Sequence, residues 1–121
     1  MASNAAGFAL ENAVAQLLAI YQAQGKLQFQ KNYNGGRFDP KRGVYLLPKG
    51  AGRVEGVPDF TCSVAPHGRT VHLECKAGTG RQTEAQKTFQ RTAVLVGARY
   101  IVIRSVDDVA RLLTAANDNQ P

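Results

Sequence analysis

The chain has 121 residues, 44% of them hydrophobic and 20% charged, which fits one folded domain and excludes a disordered tail. No apolar stretch approaches the roughly 20 residues that a membrane-spanning helix needs, and Met1 to Leu10 lacks the basic-then-apolar order of a secretion signal. No membrane partner is expected, and the setting is expected to be cytoplasmic. The net charge of +6 points away from polycationic partners and towards polyanions.

Residues 4–24 are predicted as a helix. Asn4 is placed to cap it, Leu10, Val14, Leu17 and Tyr21 recur at helical spacing, and Gly25 is placed to end it. Glu11 sits beside Leu10 on the shoulder of that stripe. Strand-like stretches follow near 27–33 and 43–47. The turn signals Asn34-Gly35-Gly36 and Asp39-Pro40 punctuate them, and Lys49-Gly50-Ala51-Gly52 reads as a mobile loop.

The charge is concentrated here. Lys26, Lys31, Arg37, Lys41, Arg42, Lys49 and Arg53 face one acid, Asp39, so segment 26–53 alone carries the chain's whole excess of +6. Phe29, Tyr33, Phe38 and Tyr45 are interleaved. Clustered cations with aromatics suit a nucleic acid, because phosphate contacts supply most non-specific affinity. The alternative is a basic, merely soluble loop region.

Residues 58–64 and 70–76 read as a hairpin turning through Ala65-Pro66-His67-Gly68. Val71, Leu73 and Cys75 fall on one face of its second strand, and His72, Glu74 and Lys76 on the other. The Gly78-Thr79-Gly80 loop leads to a helix over 83–96 with Ala85, Phe89, Ala93 and Val96 as its apolar stripe. Tyr100 to Ile103 forms a short buried strand. A last helix spans 105–114, with Ser105 and Asp108 as a capping box. Residues 116–121 read as a flexible C-terminal tail. No internal repeat is present. The element order predicts a single α/β domain over 1–115, a mixed β-sheet flanked by helices.

The chemistry lies in the hairpin. A turn centred between Pro66 and His67 sets Asp59 opposite Glu74, with Cβ atoms roughly 4.5–5.5 Å apart. Carboxylates that close repel unless a cation or a shared proton intervenes. Oxygen donors favour Mg²⁺ or Mn²⁺, which acidifies a bound water and neutralises charge growing at phosphorus. Lys76, on the same face, is a compact charge able to hold the water or stabilise the transition state. The backbone carbonyl of Cys75 is a further candidate metal ligand. Cys62 and Cys75 lack metal-ligand spacing and read as a reduced pair. Taken alone, Glu-x-Lys is an ordinary ion-pair face and Pro-Asp an ordinary turn. Their combination, with the basic segment upstream, is what carries the signal.

In this order Gly56-Val57-Pro58-Asp59-Phe60, His72-Leu73-Glu74-Cys75-Lys76, Thr83-Glu84-Ala85-Gln86 and Gly97 through Ser105 resemble the PD-(D/E)XK nuclease superfamily, and more closely its VRR-NUC branch. Asn34-Gly35-Gly36 resembles the family's Asn-Gly turn. The resemblance covers about residues 30–110. It departs at Cys75, where a β-branched residue is usual, and in the long basic insert at about 34–54.

The resemblance implies a restriction-endonuclease-like core. It implies Asp59 and Glu74 as metal ligands, Lys76 as the catalytic lysine and Gln86 as an accessory active-site residue. It also points to Glu11 as a third acid from the first helix. Against these stand an ordinary capping-box role for Gln86, an ordinary flanking charge for Glu11 and a surface strand position for His72. Lys31, Arg37, Lys41, Arg42, Lys49, Arg53 and Arg81 are the expected DNA contacts, gripping phosphates without reading sequence.

The function implied is metal-dependent phosphodiester hydrolysis. A domain this small has no room for a separate sequence reader, so branched DNA is the more natural substrate. Stand-alone members of the resembled family suggest a Holliday-junction resolvase acting as a homodimer in a bacterial or phage-infected cell. The rivals are a non-catalytic nucleic-acid-binding domain on a nuclease fold, a flap nuclease and a ribonuclease.

Overall fold

The computed structural model describes residues 3–33, 37–46 and 54–114. Helix α1 (Ser3–Ala23) is followed by strands β1 (Leu27–Lys31), β2 (Arg37–Asp39), β3 (Val44–Leu46), β4 (Phe60–Val64) and β5 (Arg69–Cys75). Helix α2 (Glu84–Leu95), strand β6 (Arg99–Ile103) and a 3-10 helix (Val106–Leu113) complete the chain. The fold is α/β: a four-stranded mixed sheet of order β1-β4-β5-β6 flanked by helices. The β1–β4 and β4–β5 pairs are antiparallel, whereas β5 and β6 are parallel and joined through α2. No helix among the described residues is long and apolar enough to cross a membrane.

The sheet is two-sided because its strands alternate. Leu27, Phe60, Cys62, Val64, Val71, Leu73, Ile101 and Ile103 form one buried face, closed by Val14 and Leu18 of α1 and by Val109 and Leu112 of the 3-10 helix. Each fully buried side chain of this size contributes roughly 1.5–3 kcal/mol. The opposite face carries Thr61, His72 and Glu74 and is roofed in part by α2, whose Ala93 is buried and whose Phe89 meets His72.

Three expectations need correction. The buried stripe of α1 centres on Val14 and Leu18, with Leu10, Leu17 and Tyr21 only partly covered. All four expected residues pack on the core, but the expected stripe left out Leu18, which is fully buried one turn on from Val14. α1 begins at Ser3, so Asn4 lies inside its first turn and does not cap it. Val96, expected in the apolar stripe of α2, is 78% exposed because the helix ends at Leu95 and Val96 is its C-cap. The basic segment holds a strand pair, β2–β3, that forms its own two-stranded sheet. Asp39-Pro40 does turn the chain there: Asp39 accepts from the amides of Lys41 and Gly43.

The last helix is 3-10 in form. At its start Asp108 Oδ2 accepts from the amides of Arg104 (2.8 Å) and Ser105 (3.1 Å). At its end the buried Arg99 guanidinium donates to the carbonyls of Arg111 (3.1 Å) and Thr114 (3.2 Å), satisfying acceptors that a helix end leaves open. The Asn34-Gly35-Gly36 turn, the Lys49-Gly50-Ala51-Gly52 loop and the 116–121 tail lie outside the described residues.

Candidate active site

The expected hairpin register is present. Phe60 pairs with Leu73 and Val64 with Arg69, so one step further Asp59 faces Glu74 at the open end of the sheet. Asp59 lies just ahead of β4 and is anchored on β5: its Oδ2 accepts from the Cys75 amide at 2.7 Å. The Asp59 carboxylate is close enough to Glu74 to push its pKa up.

Glu74 is 3% exposed. Its Oε2 accepts from Gln86 Nε2 at 3.1 Å and lies 3.7 Å from Lys76 Nζ. Its Oε1 is buried with no hydrogen-bond partner among the described residues. Burial is the main cause that raises its pKa from 4.5 to about 8, and the Asp59 carboxylate adds to it. Lys76 opposes the shift and Glu11 supports it weakly. Lys76, its side chain 17% exposed, hangs from the end of β5, where its amide donates to the Ile103 carbonyl at 2.9 Å.

Gln86 closes the capping box of α2 and also reaches Glu74. Thr83 Oγ1 accepts from the Gln86 amide at 3.1 Å, and Gln86 Oε1 accepts from the Thr83 amide at 2.8 Å, which completes the capping box. Because Oε1 is used in the cap, Nε2 is the end turned towards Glu74. The cap therefore orients the site contact.

Glu11 comes to the same end of the sheet from the α1 side. Its Oε1 is 3.5 Å from Lys31 Nζ, and its charge is felt at Glu74 and Cys75. Among the described residues no three or more His, Cys, Asp or Glu side chains are gathered into a metal cage, so Glu11 stands beside the Asp59–Glu74 pair without joining it. Cys62 and Cys75 are free thiols, and burial pushes Cys62 up to about 12.

The donor set suits a hard divalent cation. Two adjacent carboxylates, one with a buried and unpartnered oxygen, offer oxygen ligands and excess negative charge. Mg²⁺ is commonly held by one or two carboxylates and keeps several waters.

Of the expected DNA contacts, Lys31 pairs with Glu11, Arg42 lies 3.6 Å from Asp39, and Lys41 and Arg81 are exposed. The side chain of Arg37, and all of Lys49 and Arg53, lie outside the described residues.

Three further residues build the site: Asn32, which no motif contained, and Gly56 and Arg104, which lie in the resembling segments without an assigned role. Asn32 donates its amide to the Asp59 carbonyl (2.8 Å) and its Nδ2 to the Pro58 carbonyl (3.0 Å) and Thr61 Oγ1 (2.9 Å). Extending the β1–β4 register by one residue would have found it, since Lys31 pairs with Phe60. Gly56 has φ +70°, and a Cβ there would lie 2.3 Å from the Ala85 carbonyl group. Only glycine lets the loop before Asp59 sit against the start of α2. Arg104 donates to the carbonyls of Gly78 (3.2 Å) and Gly80 (2.9 Å), holding the loop between Lys76 and Gln86.

His72 is half-buried and not a surface strand residue. Thr61 Oγ1, which accepts from Asn32, lies 3.0 Å from His72 Nδ1 and shares a hydrogen bond with it. Burial lowers the His72 pKa. No protein-family model matches the chain, and no curated protein matches it.

Proposed function

We propose that this protein is a metal-dependent endodeoxyribonuclease of the PD-(D/E)XK type, with a restriction-endonuclease-like core of the VRR-NUC kind. One observation carries the reading: Asp59 from just ahead of β4, Glu74 from β5, Lys76 from just past β5 and Gln86 from α2 converge around a buried carboxylate with an unpartnered oxygen. A sheet and core do not need such a group, because an unsatisfied buried acceptor costs about 1–3 kcal/mol.

Asp59, Glu74 and the Cys75 carbonyl would hold Mg²⁺ or Mn²⁺, with Glu11 adding negative charge from α1. When bound, the ion supplies an acidified water and neutralises charge on the phosphate. Lys76 Nζ, partnered by Glu74, orients the attacking water or meets the developing negative charge. Gln86 fixes the Glu74 carboxylate by its 3.1 Å donation. The basic stretch around Lys41 and Arg42, with Arg81 beside α2, grips the phosphate backbone.

The substrate is branched DNA, a Holliday junction in the fullest form of the reading, cut by a homodimer whose two-fold axis presents two sites to two strands. The thiols of Cys62 and Cys75 suit a reducing cytoplasm. The test is cleavage of a labelled four-way junction, a flap and a linear duplex with Mg²⁺, Mn²⁺ or chelator, by wild type and Glu74→Ala. Paired, metal-dependent junction cuts that vanish in the variant are expected. Cuts confined to flaps would retain the nuclease and remove the resolvase. Tight binding with no cutting at any metal concentration would leave a non-catalytic binding domain.

A further inference from the structure

We infer that Asn32 is a positioning residue for Asp59, setting where that carboxylate meets an incoming divalent cation; the inference rests on the nuclease reading. Asp59 lies outside the β4 ladder, which starts at Phe60, so β4–β5 pairing alone does not fix its backbone. Asn32 replaces the missing ladder. Its amide takes the Asp59 carbonyl at 2.8 Å, and its Nδ2 spans the Pro58 carbonyl at 3.0 Å and Thr61 Oγ1 at 2.9 Å. Pro58 and Thr61, on either side of the aspartate, are thus tied to the Asn32 side chain, and Asp59 itself to the Asn32 main-chain amide, which any substitution but proline keeps. Asn32 is itself oriented: its Oδ1 accepts from Gln30 Nε2 at 3.1 Å, so Nδ2 is the end that faces Pro58.

Asp59 is held from three directions. Asn32 acts from β1, the Cys75 amide takes Oδ2 from β5, and Gly56 seats the preceding loop on α2. Asn32 contacts neither carboxylate oxygen, so its influence passes through the main chain. Partners of this kind set the geometry of metal-binding side chains, and their loss typically weakens metal binding by about 10–100-fold.

The experiment measures Mn²⁺ binding to the full chain by calorimetry, without DNA, together with thermal midpoints. Asn32→Ala is expected to bind Mn²⁺ about tenfold or more weakly. Its cleavage should move to higher Mn²⁺ by the same factor and approach the wild-type plateau. Val64→Ala, a core truncation at the far end of β4, lowers the midpoint and should leave Mn²⁺ affinity unchanged. Thr61→Val removes one of the two Nδ2 acceptors while keeping the strand's shape. It should weaken Mn²⁺ binding by a smaller factor, and it serves if Asn32→Ala does not fold. Lowered midpoints with unchanged Mn²⁺ affinity would make Asn32 a purely structural residue and overturn the inference. Failure of the wild type to bind Mn²⁺ would overturn the metal reading itself, and the inference with it.

Discussion

Gln86 Nε2 donates to Glu74 Oε2 across 3.1 Å, and its direction is set by the cap of its own helix, because Gln86 Oε1 already accepts from the Thr83 amide at 2.8 Å. A single side chain thus closes the start of α2 and reaches the buried carboxylate. The two roles are separable. Gln86→Glu keeps the capping box, since glutamate serves there as well as glutamine, but it removes the donor and sets a like charge against Glu74. It should retain stability within about 1 kcal/mol and lose metal-dependent cleavage. Thr83→Ala loses the cap acceptor, costs about 1 kcal/mol and leaves Nε2 pointing at Glu74, so it should cut normally. Melting curves and cleavage rates of the two variants check this. Equal losses of activity would mean that the Gln86–Glu74 contact is incidental.

Gly56 carries the approach of the Pro58-Asp59 loop to α2. A methyl group there would sit 2.3 Å from main-chain atoms of Ala85 and 2.6 Å from the Gln86 amide, at a backbone φ of +70°. Neither main-chain neighbour can move aside as a flexible side chain would. Gly56→Ala is expected to cost about 2 kcal/mol or more and to displace Asp59. Gly7, in α1, has open space around its Cβ position, and Gly7→Ala should stabilise the protein by roughly 0.5–1 kcal/mol. Denaturant midpoints of the pair settle it, and a harmless Gly56→Ala would refute the packing argument.

What the sequence disclosed divides along range. The Asp59–Glu74 facing pair was legible because a tight turn fixes a hairpin's register, and every residue of the pair follows from it. The Thr83–Gln86 box was legible because it is local. Asn32 was not, since its partners Pro58, Asp59 and Thr61 become neighbours only when β1 docks on β4, and no local pattern marks an asparagine one step past a strand. Leu18 was left out of the α1 stripe for a related reason. Leu17 and Leu18 are equally apolar, and only the position of the sheet decides that Leu18 is buried. β3 lies in the stretch expected at 43–47, whereas its partner β2 escaped because a three-residue strand leaves too few alternations to read.

Lys76 lies 3.7 Å from Glu74 Oε2, and its charge works against the rise in the Glu74 pKa. Lys76→Ala should therefore lower cleavage by about 10²-fold or more while leaving junction affinity in chelator close to wild type. Gel-shift titrations beside single-turnover rates give both numbers. A rate loss matched by an equal loss of affinity would make Lys76 a phosphate contact and not a catalytic residue.

The basic stretch predicts a salt signature. Arg42 is already engaged by Asp39 at 3.6 Å, whereas Lys41 is exposed. Lys41→Ala should reduce the slope of log affinity against log salt by about 1, the signature of one lost phosphate contact. Arg42→Ala should change it less. Binding titrations across a range of salt concentrations measure both slopes, and identical slopes for wild type and Lys41→Ala would remove Lys41 from the interface.

The proton on Glu74 gives a sharper handle. Burial, with Asp59 beside it, raises its pKa from 4.5 to about 8. Between those values the folded protein binds a proton that the unfolded chain has released, so stability falls as pH rises through the window. Without metal, the melting temperature should decline from pH about 4.5 to pH about 8 more steeply in wild type than in Glu74→Gln. The glutamine variant lacks the charge and should melt higher at the alkaline end by roughly 5 °C. On the proposed nuclease reading, Mn²⁺ would replace the proton as the partner of the carboxylates. It should lift the wild-type midpoint most at alkaline pH, where Glu74 is ready to ionise, and do little for Glu74→Gln. Thermal melts across pH with and without Mn²⁺ test both statements. Parallel curves for the two proteins would show that Glu74 is already charged in the metal-free fold, and the argument from its burial would fall.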